Sequence, residues 1–269
     1  MADLLETLDA IAHRAGEAIL EVYHREDQGV ETKADDSPLT EADRAAHRII
    51  VDALAEAFPE IPVLSEEGAE IPYEERAGWS RLFVVDPLDG TKEFLNKNGE
   101  FTVNIALVEE GEPVAGVVHA PALGRTYLGD SNGASRRDGA RPPMAIRVAG
   151  DVAGRPWRVV GSRSHATPEV QALVDALGQA ELVSMGSSLK LCLVAEGAAD
   201  LYPRLGPTSE WDTAAAHAVV RAAGGVVVDT DLQPLTYNRR ETILNPYFLV
   251  ASQLDPAWTG PLPRILGKA

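Results

Sequence analysis

Leu8, Ile11, Ala12, Ala15, Ala18, Ile19 and Val22 recur at steps of three and four, and the spacing predicts a helix over roughly 3–25. A more regular stripe follows: Ala42, Ala45, Ala46, Ile49, Ile50, Ala53, Leu54 and Ala57. It predicts a second helix starting near Thr40 and ending before Pro59. The segment between them, KADDSPLTEAD, carries a Ser-Pro turn signal. Beyond Pro59 the period changes. PVLSEEG reads as a short strand opening into an acidic turn, and RLFVVD as a buried strand. FTVNIALVEEGEPVAGVVHAP reads as a β-hairpin turning at Glu-Glu-Gly-Glu, and GDSNGASRRDGARPP as turns between further strands.

Near residue 150 the pattern shifts, and AGDVAGRP reads as a linker or domain crossing. Strands and helices then alternate: WRVVGS, PEVQALVDAL, ELVSMG, SLKLCLVAEGAA, DLYPR, DTAAAHAVVRAAGG, VVVD and FLVAS. Such alternation predicts an α/β layer with helices on the sheet faces. The expected division is an α+β part over 1–150 and an α/β part over 151–269.

Composition narrows the class. With 45% hydrophobic residues in 269, the chain can bury a sizeable core. A net charge of −17 repels nucleic-acid polymers and anionic membrane, so an anionic substrate needs a local cluster of cations. The single cysteine, Cys192, permits no internal disulfide and reads as an inert core thiol. The N-terminus lacks a basic stretch followed by a long apolar one, so it reads as a helix rather than a signal. No apolar run reaches membrane-span length. A cytoplasmic location is the expectation.

Four acidic positions invite a chemical reading, and each has an ordinary one. Glu66-Glu67 suits a solvated turn. Asp89 and Gly90 suit a β-turn, which leaves Asp86 unexplained at the end of a buried strand. Asp212 suits a helix N-cap, and Asp43, three after Thr40, suits a capping box. The set says more than its members. Asp86, the Leu88 carbonyl and Asp89 present hard oxygen donors at one strand end, the chemistry of Mg²⁺, Ca²⁺ or Mn²⁺. One Cys and six scattered His offer no zinc cage. Gly90-Thr91 then opens a short helix, TKEFLNK, whose backbone N–H groups suit a phosphate. Acids beside a phosphate cradle are the parts of metal-assisted phosphate-ester hydrolysis.

LSEEG, DPLDGTKEF and WDTAAAHAVVRAAGG resemble, in order and spacing, the motifs of the inositol monophosphatase superfamily of Mg²⁺-dependent phosphatases. KADDSPLTEAD, NGEFTVNIALVEEGEPVAGVVHAPA, SRSH, GSSLKLCLVAEGAADLYPR and LNPYF are similar to its 3′(2′),5′-bisphosphate nucleotidase branch, over roughly residues 5–252. Ala216 departs from the glycine that the superfamily often carries there. The resemblance implies a layered α-β-α-β-α sandwich of the inositol monophosphatase/fructose-1,6-bisphosphatase type. It implies that Glu66, Asp86, Leu88 (carbonyl), Asp89 and Asp212 ligate two or three Mg²⁺, and that Asp43 and Thr91 pair to activate the attacking water. Gly90 and Thr91 would hold the scissile phosphate, with Glu66, Leu88, Asp89 and Asp212 also facing substrate. Ser162, His165, Ser187, Lys190 and Arg204 would hold the nucleotide and its 5′-phosphate. On the residues alone, Lys190 reads as a lysine snorkelling from an amphipathic helix, and Arg204 and His165 as surface positions. Trp211 reads as a packing anchor.

The implied reaction removes the 3′-phosphate of adenosine 3′,5′-bisphosphate, giving AMP and phosphate, by in-line attack of an activated water without a covalent intermediate. 3′-Phosphoadenylyl sulfate is a second substrate by the same resemblance, and peripheral association with the inner membrane is compatible with it. Inositol monophosphatase or another sugar-phosphatase activity would share the metal site. A non-catalytic metal-binding regulator is the reading from another class, and the Asp43/Thr91 pair argues against it.

Overall fold

The chain, a computed structural model, is described over residues 2–25, 27, 29–32, 38–68, 70–152, 154–161 and 167–268. Two helices lie where the apolar stripes predict them: α1, Ala2–Tyr23, and, after the small antiparallel pair β1 (Glu31–Thr32) and β2 (Pro38–Leu39), α2, Glu41–Ala57. The capping box forms. Thr40 Oγ1 accepts the Ala42 N–H at 3.2 Å, and the Asp43 carboxylate accepts the Thr40 N–H at 2.7 Å.

A sheet of seven strands follows: β3 (Val63–Ser65), then after the short helix α3 (Tyr73–Arg76) β4 (Arg81–Asp89), then after α4 (Thr91–Leu95) β5 (Thr102–Glu109), β6 (Glu112–Ala120), β7 (Arg125–Asp130), β8 (Gly133–Asp138) and β9 (Met144–Ile146). The strands neighbour one another in chain order. β3 runs parallel to β4, and every other pairing is antiparallel. GASRRD, expected among turns, is itself the strand β8. Its arginines escape hydrophobic periodicity because carboxylates satisfy them: Arg137 bonds Asp9, and Arg136 bonds Asp138 and Glu196.

The second sheet is built from β10 (Trp157–Gly161), then after α5 (Pro168–Ala176) β11 (Ala180–Ser184), then after α6 (Leu189–Ala195) β12 (Leu201–Arg204), and then after α7 (Ala214–Ala222) β13 (Val226–Asp229) and β14 (Phe248–Ala251), in the order β11-β10-β12-β14-β13. Two four-residue helices end the described chain, α8 (Pro256–Thr259) and α9 (Leu262–Ile265). They are too short to leave a helical period, yet Trp258 and Leu262 are buried against the outer face of this sheet.

Side-chain alternation shows how the layers stack. In β4, Phe83 and Val85 join α1 and α2 in one core, while Leu82 and Val84 join α6 and α7 in another. That inner core also takes Val160, Tyr202, Val227 and Val250 from the second sheet. A third core, with Trp157, Val159 and Leu249, lies beneath α5, α8 and α9. The result is the expected α-β-α-β-α sandwich, and strands buried on both faces read as the unbroken apolar runs seen in the sequence. α6 lies in the middle layer with Leu189, Leu191, Cys192, Leu193, Val194 and Ala195 all buried. It is therefore not the surface amphipathic helix that a snorkelling Lys190 requires. Burial pushes the Cys192 thiol up, which keeps it protonated and inert.

Candidate active site

Asp86 and Asp89 are three residues apart, and in a regular strand they would face opposite sides of the sheet. A β-bulge prevents this. Asp86 pairs with Asn104 but Asp89 with Thr102, so β4 spends one more residue than β5 between them. Leu88 consequently falls in the core beneath α1 and α2, while Asp89 turns to the other face beside Ser188. Pro87 has no N–H to leave unpaired within this bulge. The Asp86 carboxylate steadies the turn by accepting the Leu88 N–H at 3.0 Å.

Glu66 follows β3 directly, and its N–H donates to the Val85 carbonyl at 3.1 Å. That bond sets Glu66 beside the end of β4. Asp212 comes from the segment leading into α7. It does not cap that helix as expected. α7 starts at Ala214, and the Asp212 carboxylate instead accepts the Ser209 N–H at 2.9 Å, three residues upstream. The turn is anchored by Asn245, whose amide donates to the Ser209 carbonyl and to Thr213 Oγ1.

These acids share one field. Burial pushes the Asp86 carboxyl well above the ordinary range, and Glu66, Asp89 and Asp212 push it further. Burial and then Asp89 raise Asp212 to about 8, against the Ser209 N–H. Among the described residues, no three acidic, imidazole or thiol side chains already close into a cage. The Asp89 and Asp212 carboxylates rest on protein donors, from Ser188 and Ser209. The donor set still fits a hard divalent cation, because it offers oxygen only and its mutual repulsion is relieved by positive charge.

Beside the acids the chain turns into α4 at Gly90, whose φ of +90° favours glycine. A side-chain carbon there would stand 3.3 Å from the Ser187 Cβ. The first half of the chain therefore touches the loop before α6 at this point. The Gly186 N–H, donating to Glu100 at 2.7 Å, ties that loop down, and Ser187 sits at φ +47°, a strained conformation for a non-glycine residue. A cavity of about 490 Å³ joins Asp89, Gly90, Thr91, Ser187, Lys190, Arg204 and Asp212. Lys190 faces this cavity, with its ammonium 5.9 Å from the centre of the Tyr202 ring. Burial lowers its pKa while Asp89 opposes the shift. Arg204 donates to the Pro207 carbonyl at 2.7 Å and also borders an apolar cavity of about 220 Å³ beneath Val174, Leu182 and Tyr202.

Asp43 is buried, and its Oδ2 takes both the Thr40 N–H and the Thr40 hydroxyl, at 2.7 and 2.6 Å. Thr91 stands at the first turn of α4, which packs against β2 just before Thr40. Ser162 and His165 lie outside the described residues. The structure adds Ser188 and Asn104, to which no motif in the sequence assigns a role. Asn104 donates to Ser188 at 2.8 Å and to Asp89 at 3.5 Å. Its place in the hairpin, opposite Asp86, could have flagged it once the register was known.

Known proteins share this sequence and fold. The model of the inositol monophosphatase family matches residues 1–259. The chain is 49% identical over 250 residues to the 3′(2′),5′-bisphosphate nucleotidase CysQ of Escherichia coli strain K12, covering 92% of this chain and 99% of that protein. Among solved structures, CysQ of Bacteroides thetaiotaomicron, a bacterial member of the same family, superposes with a TM-score of 0.82 at 43% identity, covering 94% of this chain and 98% of that one. The Thermotoga maritima IMPase superposes with a TM-score of 0.80 at 25% identity, covering 99% of each chain.

Proposed function

The chain belongs to the inositol monophosphatase family, and from that membership we propose that it is a Mg²⁺-dependent 3′(2′),5′-bisphosphate nucleotidase. Its substrate is adenosine 3′,5′-bisphosphate, which it converts to AMP and phosphate, with 3′-phosphoadenylyl sulfate as a second substrate. Both named CysQ relatives support the nucleotidase branch. The observation that carries the reading is one cavity lined both by the acids Asp89 and Asp212 and by the cations Lys190 and Arg204. A bisphosphate needs both: a cation site for the phosphate that leaves and fixed positive charge for the one that stays.

Glu66, Asp86, the Leu88 carbonyl, Asp89 and Asp212 would hold two or three Mg²⁺. When bound, the ions supply a nucleophilic water and neutralise the leaving oxygen. The chain's own groups do the rest. Gly90 and Thr91 direct backbone N–H groups at the scissile phosphate. Asp43, mounted on the rigid first turn of α2, accepts the water's proton with Thr91 as partner. Ser187, Lys190 and Arg204 hold the nucleotide end, and the apolar cavity beyond Arg204 has the chemistry to receive a base. In this division residues 1–150 carry the metal and catalytic groups, and residues 151–269 hold the nucleotide while supplying Asp212. The single cysteine and the nucleotide substrate support a cytoplasmic location; among the described residues no helix is long and apolar enough to cross a membrane.

A phosphate-release panel tests this reading, with adenosine 3′,5′-bisphosphate, inositol 1-phosphate and fructose 1,6-bisphosphate, each with and without Mg²⁺. The expected result is Mg²⁺-dependent release, fastest from the adenosine bisphosphate. Much faster hydrolysis of inositol 1-phosphate would overturn the substrate. No release from any ester would leave a binding protein.

A further inference from the structure

Ser188 stands at the N-cap of α6, where a serine ordinarily accepts a backbone N–H with its side chain. It makes no such capping bond. Its hydroxyl instead lies 2.7 Å from Asp89 Oδ2 and 2.7 Å from the Asp212 carbonyl. Its backbone N–H also donates to Asp89 Oδ2, at 2.5 Å. Asn104, only 1% exposed and opposite Asp86 in the ladder, donates into the Ser188 Oγ. Ser188 itself is 1% exposed, so water does not compete for these bonds.

A hydroxyl has one proton. With the Asn104 amide donating into Oγ, that proton serves either Asp89 or Asp212, and the two acceptors are equidistant. We infer that Ser188 is a positioning residue that locks the Asp89 carboxylate of the first half to the Asp212 segment of the second, and so sets metal affinity. In the state without cation the hydroxyl serves Asp89. When a cation draws on Asp89, the Ser188 hydroxyl and N–H both keep hold of Oδ2 behind the ligand. The hydroxyl proton thus stays paired in this buried place, which avoids the penalty of an orphaned donor. The inference rests on the cation-site reading given above.

The test is Mn²⁺ binding followed by electron paramagnetic resonance of the free ion, on the full chain. Loss of a hydrogen-bond partner behind a ligand typically lowers metal affinity by about 10–100-fold. Ser188→Ala is expected to raise the Mn²⁺ Kd by about tenfold, and Ser188→Thr, which keeps the hydroxyl, to restore most of it. Asn104→Ala, which releases the hydroxyl's orientation, is expected to raise Kd in the same direction and serves if Ser188→Ala folds poorly. An unchanged Kd in both alanine variants, with the wild type binding Mn²⁺, would reduce Ser188 to a packing residue and leave the site standing. Failure of the wild type to bind Mn²⁺ would overturn the site and this inference together.

Discussion

Gly116 on β6 lies directly under the main chain of Ala215 on α7: a side-chain carbon added at Gly116 would stand 2.3 Å from the Ala215 carbonyl oxygen. Gly129 on β7 is in the same position beneath Val219, with 2.6 Å to its Cα. The two glycines let α7 rest on the first sheet at backbone distance. Because Asp212 precedes α7 by two residues, this contact sets the height at which the second half offers its acid to the first.

Gly116→Ala should therefore damage both stability and activity. The clash is with backbone, so no side chain can swing away from it. Overpacking of this kind typically costs about 1–3 kcal/mol. We expect a lower urea midpoint at unchanged slope, together with a turnover loss greater than the unfolded fraction explains. A variant with normal turnover at full folding would show that Asp212 does not depend on this seat.

Two buried histidines contribute a loss of stability in mild acid, opposed by the raised Asp86 and Asp212 carboxyls, which take up protons in the folded chain over the same range. Burial lowers the His119 imidazole to about 3, with His13 and Arg137 acting in the same direction, and burial followed by Arg221 lowers His217 to about 3. The unfolded chain takes up both protons near pH 6.5, whereas the folded chain stays neutral until about 3. Between those limits the unfolded state binds more protons, so the contribution is full above about 6.5 and shrinks as pH drops. Two such groups give up to about 2.7 kcal/mol per pH unit. Urea titrations at pH 7, 6, 5 and 4 on wild type and His217→Gln isolate one histidine's share: below pH 6.5 the difference between them should change by up to about 1.4 kcal/mol per pH unit, the variant losing less.

Much of this was legible along the chain, for a physical reason. The acids of the DPLDG segment are neighbours in sequence, and the two long helices and buried strands leave strong periods. What was hidden depends on register. Only the ladder shows that β4 carries an extra residue between Asp86 and Asp89, and only the packing of α6 shows that Lys190 faces a cavity rather than solvent. Asp212 looked like a helix cap because an aspartate before a helix usually is one. Ser188, beside the predicted Ser187, leaves no mark in the sequence because its partners are 99 and 24 residues away.

Lys190→Ala should discriminate between substrates. The ammonium lines the cavity and carries the charge proposed for the remote phosphate. A charged hydrogen bond is worth about 1.5–3 kcal/mol, so KM for adenosine 3′,5′-bisphosphate should rise by about ten- to a hundredfold. A small phosphomonoester lacking the second phosphate should show little change. Equal effects on both would remove Lys190 from the remote-phosphate role.

Asp89→Asn separates the metal role of the acids from their structural one. The asparagine keeps an oxygen able to accept from the Ser188 N–H and hydroxyl, so the local bonds survive. What is lost is one negative charge that helps to raise the Asp86 and Asp212 carboxyls. Without divalent ions the variant should melt at or above the wild-type temperature, because repulsion has been relieved. With Mg²⁺ at a hundredfold excess over Kd, the wild type gains about 2.7 kcal/mol, since the ion binds only the folded chain. The variant should gain far less and lose turnover. Melting curves with EDTA and with Mg²⁺, read beside phosphate release, make the comparison. Near-normal turnover, or a Mg²⁺ shift equal to that of the wild type, would remove Asp89 from the ligand set.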